Sequence, residues 1–501
     1  MSILTSLLLL PLFGALVVGF LPASNAKLVK QVALAFSLLV TLVSIVMALS
    51  FDRNNSAMQF TEVRTWISAF NINYAVGIDG MALVLILMTT ILVPVVFLAG
   101  WSESENGRWN VKVFYILLLI LETMMIGVFS ATDVFLFYVI FEAMLLPVYF
   151  LIGGYGSGER AAAAMKFLLY SLFGGLLMLA AVIGLYIISV NQGGATFDIA
   201  RLSQLSIDST TQNWLFLGFF IAFAIKAPLW PFHTWLPTAA KSATAGTSTL
   251  LLGVLDKVGT YGMIRFCMSF FPDATKTFTP AIITLAVISI LYGAFLAIGQ
   301  KDINSLIAFT SISHFGFITL GIFALTSQSL TGAIFYMVNH GFGTAALFLT
   351  AGWMIKRRGS SQIADFGGLQ RVAPVLAWSF FIAGLSALAL PGLSSFVSEF
   401  LVLLGAFAKY PVAAILGTLG IILAALYVLL AVQRAIHGET PASSAGISDL
   451  NLREKIAIAP VIAILVLLGF YPKPALEVIN PTTQTIMTNA GVSDPVAKVV
   501  K

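Results

Sequence analysis

The chain has 501 residues, of which 59% are hydrophobic and only 9% charged. Soluble domains carry about 25% charge, so this composition excludes a soluble enzyme and puts most of the chain in a bilayer. Its net charge of +5 fits membrane orientation, and no basic stripe interleaved with aromatic residues points to nucleic acid. A single cysteine, Cys267, excludes an internal disulfide, a cysteine-held metal cluster and a CxxC redox motif, and fits a buried packing residue.

About 20 apolar residues cross a bilayer as a helix. Fourteen spans are predicted on that measure: 2–21, 28–50, 78–100, 111–130, 132–152, 162–190, 214–236, 244–266, 278–299, 303–325, 329–354, 374–407, 411–436 and 455–471. The first lacks a basic leader and a small-residue cleavage site, which predicts a retained helix. Residues 51–77 carry Trp66, Phe70 and Tyr74, suited to an interfacial loop, and their weak alternation leaves a short hairpin open. Span 4 holds Glu122, and span 5 holds Glu142 shortly before Pro147. Asp133 opens span 5, where an acid favours a helix N-terminus. The glycines of 153–158 read as a turn, because neither a strand nor Gly-Lys-Ser/Thr accompanies them.

Span 7 is the most informative stretch. Within 223–240 it carries Lys226, Pro228, Pro231, His233 and Pro237. Each proline removes a backbone donor, so the helix must break. Broken backbone at membrane depth survives only where protein or a water-filled cavity satisfies it. A lysine at mid-bilayer costs roughly 2.5–3.5 kcal/mol and is normally kept for function. Span 8 adds Asp256 and Lys257, span 10 His314, span 11 His340, span 12 Pro391-Gly392 and Glu399, and span 13 Arg434. Residues 438–454 form a polar linker, and the tail from Pro472 has no assigned structure.

These residues repeat. Glu142 and Lys226 are 84 positions apart, and His314 and Glu399 are 85 apart. Spans 4–8 and 9–13 therefore read as two copies of a five-helix unit, and an odd helix number forces the second copy in upside down. The fold class is an all-α membrane protein with two inverted repeats and two broken helices. Its parts are 1–110, the first repeat at 111–266, the second at 278–437, and a linker, last helix and tail at 438–501. Singly, a buried charge often just holds helices together; Glu122, Asp256 and Arg434 fit that reading best. Six ionisable groups on so many spans read as a proton or ion path. Burial and opposite charge shift lysine and carboxylate pKa values in opposite senses, so a Glu142–Lys226 pair can switch protonation as its partners separate. Histidine titrates near neutrality unaided.

Seven stretches carry a family resemblance: VGIDGMALVL (76–85), FYVIFEAMLLPVYFLIG (137–153), KAPLWPFHTWLP (226–237), GVLDKVGTYGMIRF (253–266), QKDINSLIAFTSISHFG (300–316), NHGFGTAALF (339–348) and LPGLSSFVSEF (390–400). Together they resemble the antiporter-like membrane-arm subunits of respiratory complex I. Glutamate at 399, where sister chains usually carry lysine, resembles the branch that includes mitochondrial NADH dehydrogenase subunit 4. The resemblance implies a proton-translocating subunit of NADH:quinone oxidoreductase, with no cofactor or metal of its own. It implies Glu142 and Lys226 as a paired gate, Lys257, His314 and His340 as a central relay, and Glu399 as the terminal exchanger. Expected partners are other membrane-arm subunits, including sister antiporter-like chains, the peripheral redox arm indirectly, and the lipid bilayer. A multi-subunit cation/proton antiporter is the alternative. The sequence departs from the family at Thr238-Ala239-Ala240, at Asn304-Ser305, and at Asp256, an acid the family does not usually place there.

Of the 26 Lys and Arg residues, Lys226 and Lys257 fall within spans; 15 of the others lie on the side that carries Lys27, Lys30 and the cluster Lys356, Arg357 and Arg358, and 9 on the opposite side. The positive-inside rule then places both termini outside the cytoplasm of a cell inner (plasma) membrane. Reporter fusions at the C-terminus should report the extracytoplasmic side and fusions within 438–454 the cytoplasm; the reverse pattern would invert this topology.

Overall fold

The computed structural model describes residues 2–105, 107–442, 444 and 446–495. Helices α1 (Ile3–Phe20) and α2 (Ala26–Leu49) lead into an antiparallel hairpin, β1 (Gln59–Ile67) and β2 (Ile72–Ile78). The interfacial loop at 51–77 thus contains the hairpin its sequence left open. Glu62 on β1 accepts hydrogen bonds from Ser2 N at 2.8 Å and Thr5 Oγ1 at 2.7 Å. These donors hold its carboxyl down to about 2 and tie the hairpin to α1.

Helices α3 (Gly80–Ala99), α4 (Val111–Ser130), α5 (Val134–Ala143), α6 (Leu145–Tyr155) and α7 (Arg160–Asn191) follow, then a short α8 (Ile199–Leu202). The seventh predicted span is broken into α9 (Ser209–Lys226), a 3-10 turn (Phe232–Thr234) and α10 (Trp235–Ser242). The eighth is divided into α11 (Ala245–Leu250), a π turn (Leu251–Leu255), α12 (Lys257–Gly262) and a second π turn (Met263–Met268). Helices α13 (Pro272–Ile298), α14 (Ile303–Phe323), α15 (Ser327–Arg358) and a short α16 (Leu369–Val372) precede a second break, between α17 (Pro374–Ala387) and α18 (Ser394–Phe407). The chain closes with α19 (Pro411–Ile436), α20 (Leu452–Phe470) and α21 (Lys473–Asn489).

Among the described residues, ten helices are long and apolar enough to cross a membrane, with α5 and α6 acting as one. The α20–α21 pair, bent by 71°, makes an eleventh if it counts as one span. The other three of the fourteen predicted spans are the interrupted ones, where prolines or π turns divide the apolar run. Of the tail left unassigned in the sequence, Lys473–Asn489 form α21.

Helix ends follow the local sequence. Asp133 accepts from Phe135 N and Leu136 N at 2.9 and 3.0 Å, and Asp302 from Ser305 N at 2.9 Å, so each caps its helix as an N-terminal carboxylate should. Asn451 and Glu454 form a reciprocal capping box on α20. Burial is graded across the bundle. The apolar window of α15 is 100% buried and that of α14 94%, against 28% for α2 and 39% for α7 and α19. The exposed faces of these outer helices are apolar, with Leu42, Phe173 and Ile415 among them, which suits lipid rather than water.

Asp79 caps α3 through Ala82 N at 3.0 Å and pairs with Arg265 Nη2 at 2.6 Å. Arg265 Nε also donates to Tyr261 Oη at 3.2 Å. Removing one partner of a buried pair strands the other, at a cost of about 3–5 kcal/mol. Asp79→Ala should therefore lower the thermal stability of the solubilised protein well beyond Asp79→Asn, whose single amide oxygen still accepts one of the two bonds. Equal melting of both variants would remove the pair from the fold's supports.

Candidate functional site

The break after α9 begins at Lys226, and protein groups take up several of the backbone positions it frees. Ala227 N donates to Phe223 O at 2.7 Å and Leu229 N to Ala224 O at 2.9 Å, continuing the helix ladder past its last residue. Trp235 Nε1 reaches back to the freed Ile225 carbonyl at 2.9 Å, and Trp230 N donates to Ser289 Oγ at 2.8 Å. Lys226 itself is 1% exposed, and its Nζ has no hydrogen-bond partner among the described residues. It lies over the rings of Phe141 and Phe167 at 5.2 and 5.5 Å. Ring faces attract a cation without fixing its direction, so the ammonium is stabilised but free to turn.

Glu142, near the end of α5, is half-buried; its Oε1 is buried without a partner. Its carboxylate fills the space a side chain at Gly175 of α7 would need. Glu142 and Lys226 make no ion pair within 4.0 Å among the described residues, although each lies within Coulombic reach of the other.

The central residues are in contact. Lys257 Nζ donates to Leu252 O at 2.5 Å and sits 2.7 Å from His340 Nδ1. Leu252 belongs to the π turn ahead of α12, so the widened turn supplies an acceptor for the ammonium. At 2.7 Å the pair holds one shared proton, on the lysine with imidazole accepting or on the imidazole with amine accepting. His340 Nε2 lies 3.2 Å from Thr344 Oγ1, and its ring centroid is 5.2 Å from that of His314. Thr310, Ser311, Thr344 and Ser395 line a small cavity beside both histidines, a polar setting that suits a bridging water. His314 is 5.8 Å, ring to ring, from Tyr336, whose hydroxyl donates to Glu399. Glu399 is buried inside α18, beyond the break rather than at it, and Pro391-Gly392 lies in the turn, where Gly392 adopts φ +94°. Asn339 Nδ2 donates to Ser398 Oγ at 2.6 Å and Ser394 O at 3.0 Å, which fixes α18 against α15.

The structure therefore aligns Lys257, His340, His314, Tyr336 and Glu399 in one line, hydrogen-bonded at its two ends and ring to ring at His314, whose Nε2 has no partner among the described residues; Glu142 and Lys226 make no hydrogen bond to this line. Sequence reasoning missed Tyr336 and Thr344. Both are four residues from His340, on the same face of α15, so spacing alone could have found them. His233 is buried against Tyr292, 5.0 Å between centroids, and stays outside this line. Buried Glu122 has neither carboxylate oxygen hydrogen-bonded among the described residues.

Residues 131–425 match the family model described as NADH:quinone oxidoreductase/Mrp antiporter, TM. The chain belongs to this family. NADH-quinone oxidoreductase subunit M of Mycobacterium tuberculosis is 47% identical over 529 residues, covering 99% of this chain and 96% of that one. NADH-ubiquinone oxidoreductase chain 4 of Arabidopsis thaliana is 38% identical over 486 residues, covering 97% of each. A chain of respiratory complex I from Thermus thermophilus superposes with a TM-score of 0.89 at 32% identity, covering 98% of this chain and 100% of that one.

Tyr336→Phe removes the donor to Glu399 and little else. A hydrogen bond to a charged group contributes about 1.5–3 kcal/mol. The variant should assemble normally and slow proton movement by about tenfold or more; unchanged proton movement would take Tyr336 off the path.

Proposed function

We propose that this chain is a proton-translocating membrane-arm subunit of an NADH:quinone oxidoreductase, with no redox centre of its own. The observation that carries the reading is the buried line from Lys257 through His340, His314 and Tyr336 to Glu399, lying inside a near full-length match to oxidoreductase subunits. Quinone reduction elsewhere in the complex would alter the charge felt by Glu142. Lys226, held only by ring faces, then releases or regains its proton, and the Lys257–His340 pair passes it on. Moving one proton against 100 mV requires about 2.3 kcal/mol, so the subunit relays energy supplied by neighbouring subunits. A cation/proton antiporter subunit is the rival, since the family includes both kinds; relatives of 47% and 38% identity that are oxidoreductase subunits favour the first.

Fourteen crossings, with the three interrupted segments also spanning, and two inverted five-helix repeats are part of the proposal. Three parallels support the repeats. The second helix of each unit, α5 and α14, is capped by an aspartate, Asp133 or Asp302. Each of these aspartates also forms a β-bridge with the segment after the unit's third helix, Asp133 with Asp198 and Asp302 with Gln362. The fourth helix of each unit is the broken one. The basic-residue bias supports both termini outside the cytoplasm.

Glu142→Ala strands a buried ammonium and Lys226→Ala a buried carboxylate, and either survivor can neutralise without unfolding the helices. Each variant should assemble yet lose both NADH:quinone turnover and proton pumping, measured in membranes and normalised to assembled complex. Glu142→Asp should keep part of the activity. Lys226→Arg should fare worse than its retained charge suggests, because arginine does not release a proton. Wild-type pumping by both alanine variants would make the pair structural and the mechanism wrong.

A further inference from the structure

Asp256 is fully buried, and neither of its carboxylate oxygens has a hydrogen-bond partner among the described residues. An ionised carboxylate left so in a dry interior is unstable unless it takes a proton or answers a cation. Two cations are at hand, for both Lys257 and Lys226 lie within Coulombic reach of it. Asp256 occupies the joint between the π turn and α12. Three residues on along the helix, Gly259 lies against the end of α9: a side chain there would come within 2.6 Å of Ala227 N and Phe223 O. Residues three apart share a helix face, so Asp256 is on the face of α12 turned to the α9 terminus that carries Lys226. Lys257 points the other way, to Leu252 O and His340. The described contacts leave Lys226 without a hydrogen-bonded link to the rest of the line, and Asp256 is a carboxylate within Coulombic reach of both lysines.

We propose that Asp256 is a relay residue of this chain, a carboxylate that carries a proton between Lys226 and Lys257. The inference rests on the function proposed above. Protonated Lys226 gives its proton to the Asp256 carboxylate, leaving a neutral amine and a neutral acid. The acid then gives that proton to the Lys257 amine, which becomes ammonium as Asp256 returns to carboxylate. Charge balances at each step, and the carboxylate's negative charge is always opposed by one of the two lysines. The π turn beside it leaves the Leu252 carbonyl to hold the second ammonium once formed.

The test uses the assembled complex in its membrane, with Asp256→Asn, Asp256→Glu and Lys257→Met compared for rates of proton uptake and NADH:quinone turnover, each normalised to assembled complex. General acid–base groups commonly contribute on the order of a hundredfold, so Asp256→Asn should lower pumping to that extent with normal assembly, and Asp256→Glu should restore most of it. A packing role predicts the opposite, since the isosteric amide keeps the volume and removes an unpaired charge. Wild-type pumping by Asp256→Asn with loss in Lys257→Met overturns the Asp256 assignment and leaves the function standing. Wild-type pumping by both overturns the function as well. Failure of Asp256→Asn to assemble, or loss in Asn and Glu variants alike, makes Asp256 structural.

Discussion

A charge in hydrocarbon has to be solvated by the protein around it, and this chain is arranged to do so at two places where a helix gives way. Hydrogen bonds along an intact helix are internal, so a straight span offers a buried ammonium side chains but no free backbone carbonyl. The π turn before α12 frees the Leu252 carbonyl, which Lys257 takes. The proline break after Lys226 is closed instead by Trp235 and Ser289, which satisfy the backbone and leave the lysine side chain to Phe141 and Phe167. One lysine is thereby anchored and the other only cushioned. That difference follows from how each interruption is made, and it decides which of the two can change partners.

The burial gradient has the same origin. His314 and His340 stand on α14 and α15, the two most enclosed of the ten apolar spans, whereas α2, α7 and α19 turn apolar faces outward. Polar groups at the centre need protein on every side. Small residues let the helices close in: Gly259 admits the end of α9, and Gly175 admits the Glu142 carboxylate.

Much of this was legible in the sequence because membrane segments announce themselves by composition and intramembrane charges by their rarity. The break at Lys226 was readable from Pro228 and Pro231, and the capping role of Asp133 from its place ahead of span 5. What could not be read was continuity and contact. Hydropathy is blind to π turns, so span 8 looked like one helix, and α20 and α21 gave no sign of their 71° bend. Pro391-Gly392 marks the turn in span 12 but not where the helix restarts, so the sequence did not show that Glu399 stands inside the second half, past the break. Tyr336 carries no charge, so a search for ionisable residues passed over the group that holds Glu399.

The centre of the line and its Glu142–Lys226 approach are in different conditions. Lys257 and His340 touch, so a proton on either is shared at once with the other. Glu142 and Lys226 do not touch, and each has a buried polar atom without a partner. A path joined throughout would equilibrate protons across the membrane and hold no gradient; a path open throughout would carry none. Under the proposed function, the contact at Lys257 and the gap at Glu142 are complementary requirements. The gap has to sit at the loosely held lysine, because only a side chain without directional bonds can close it without dismantling the backbone around it.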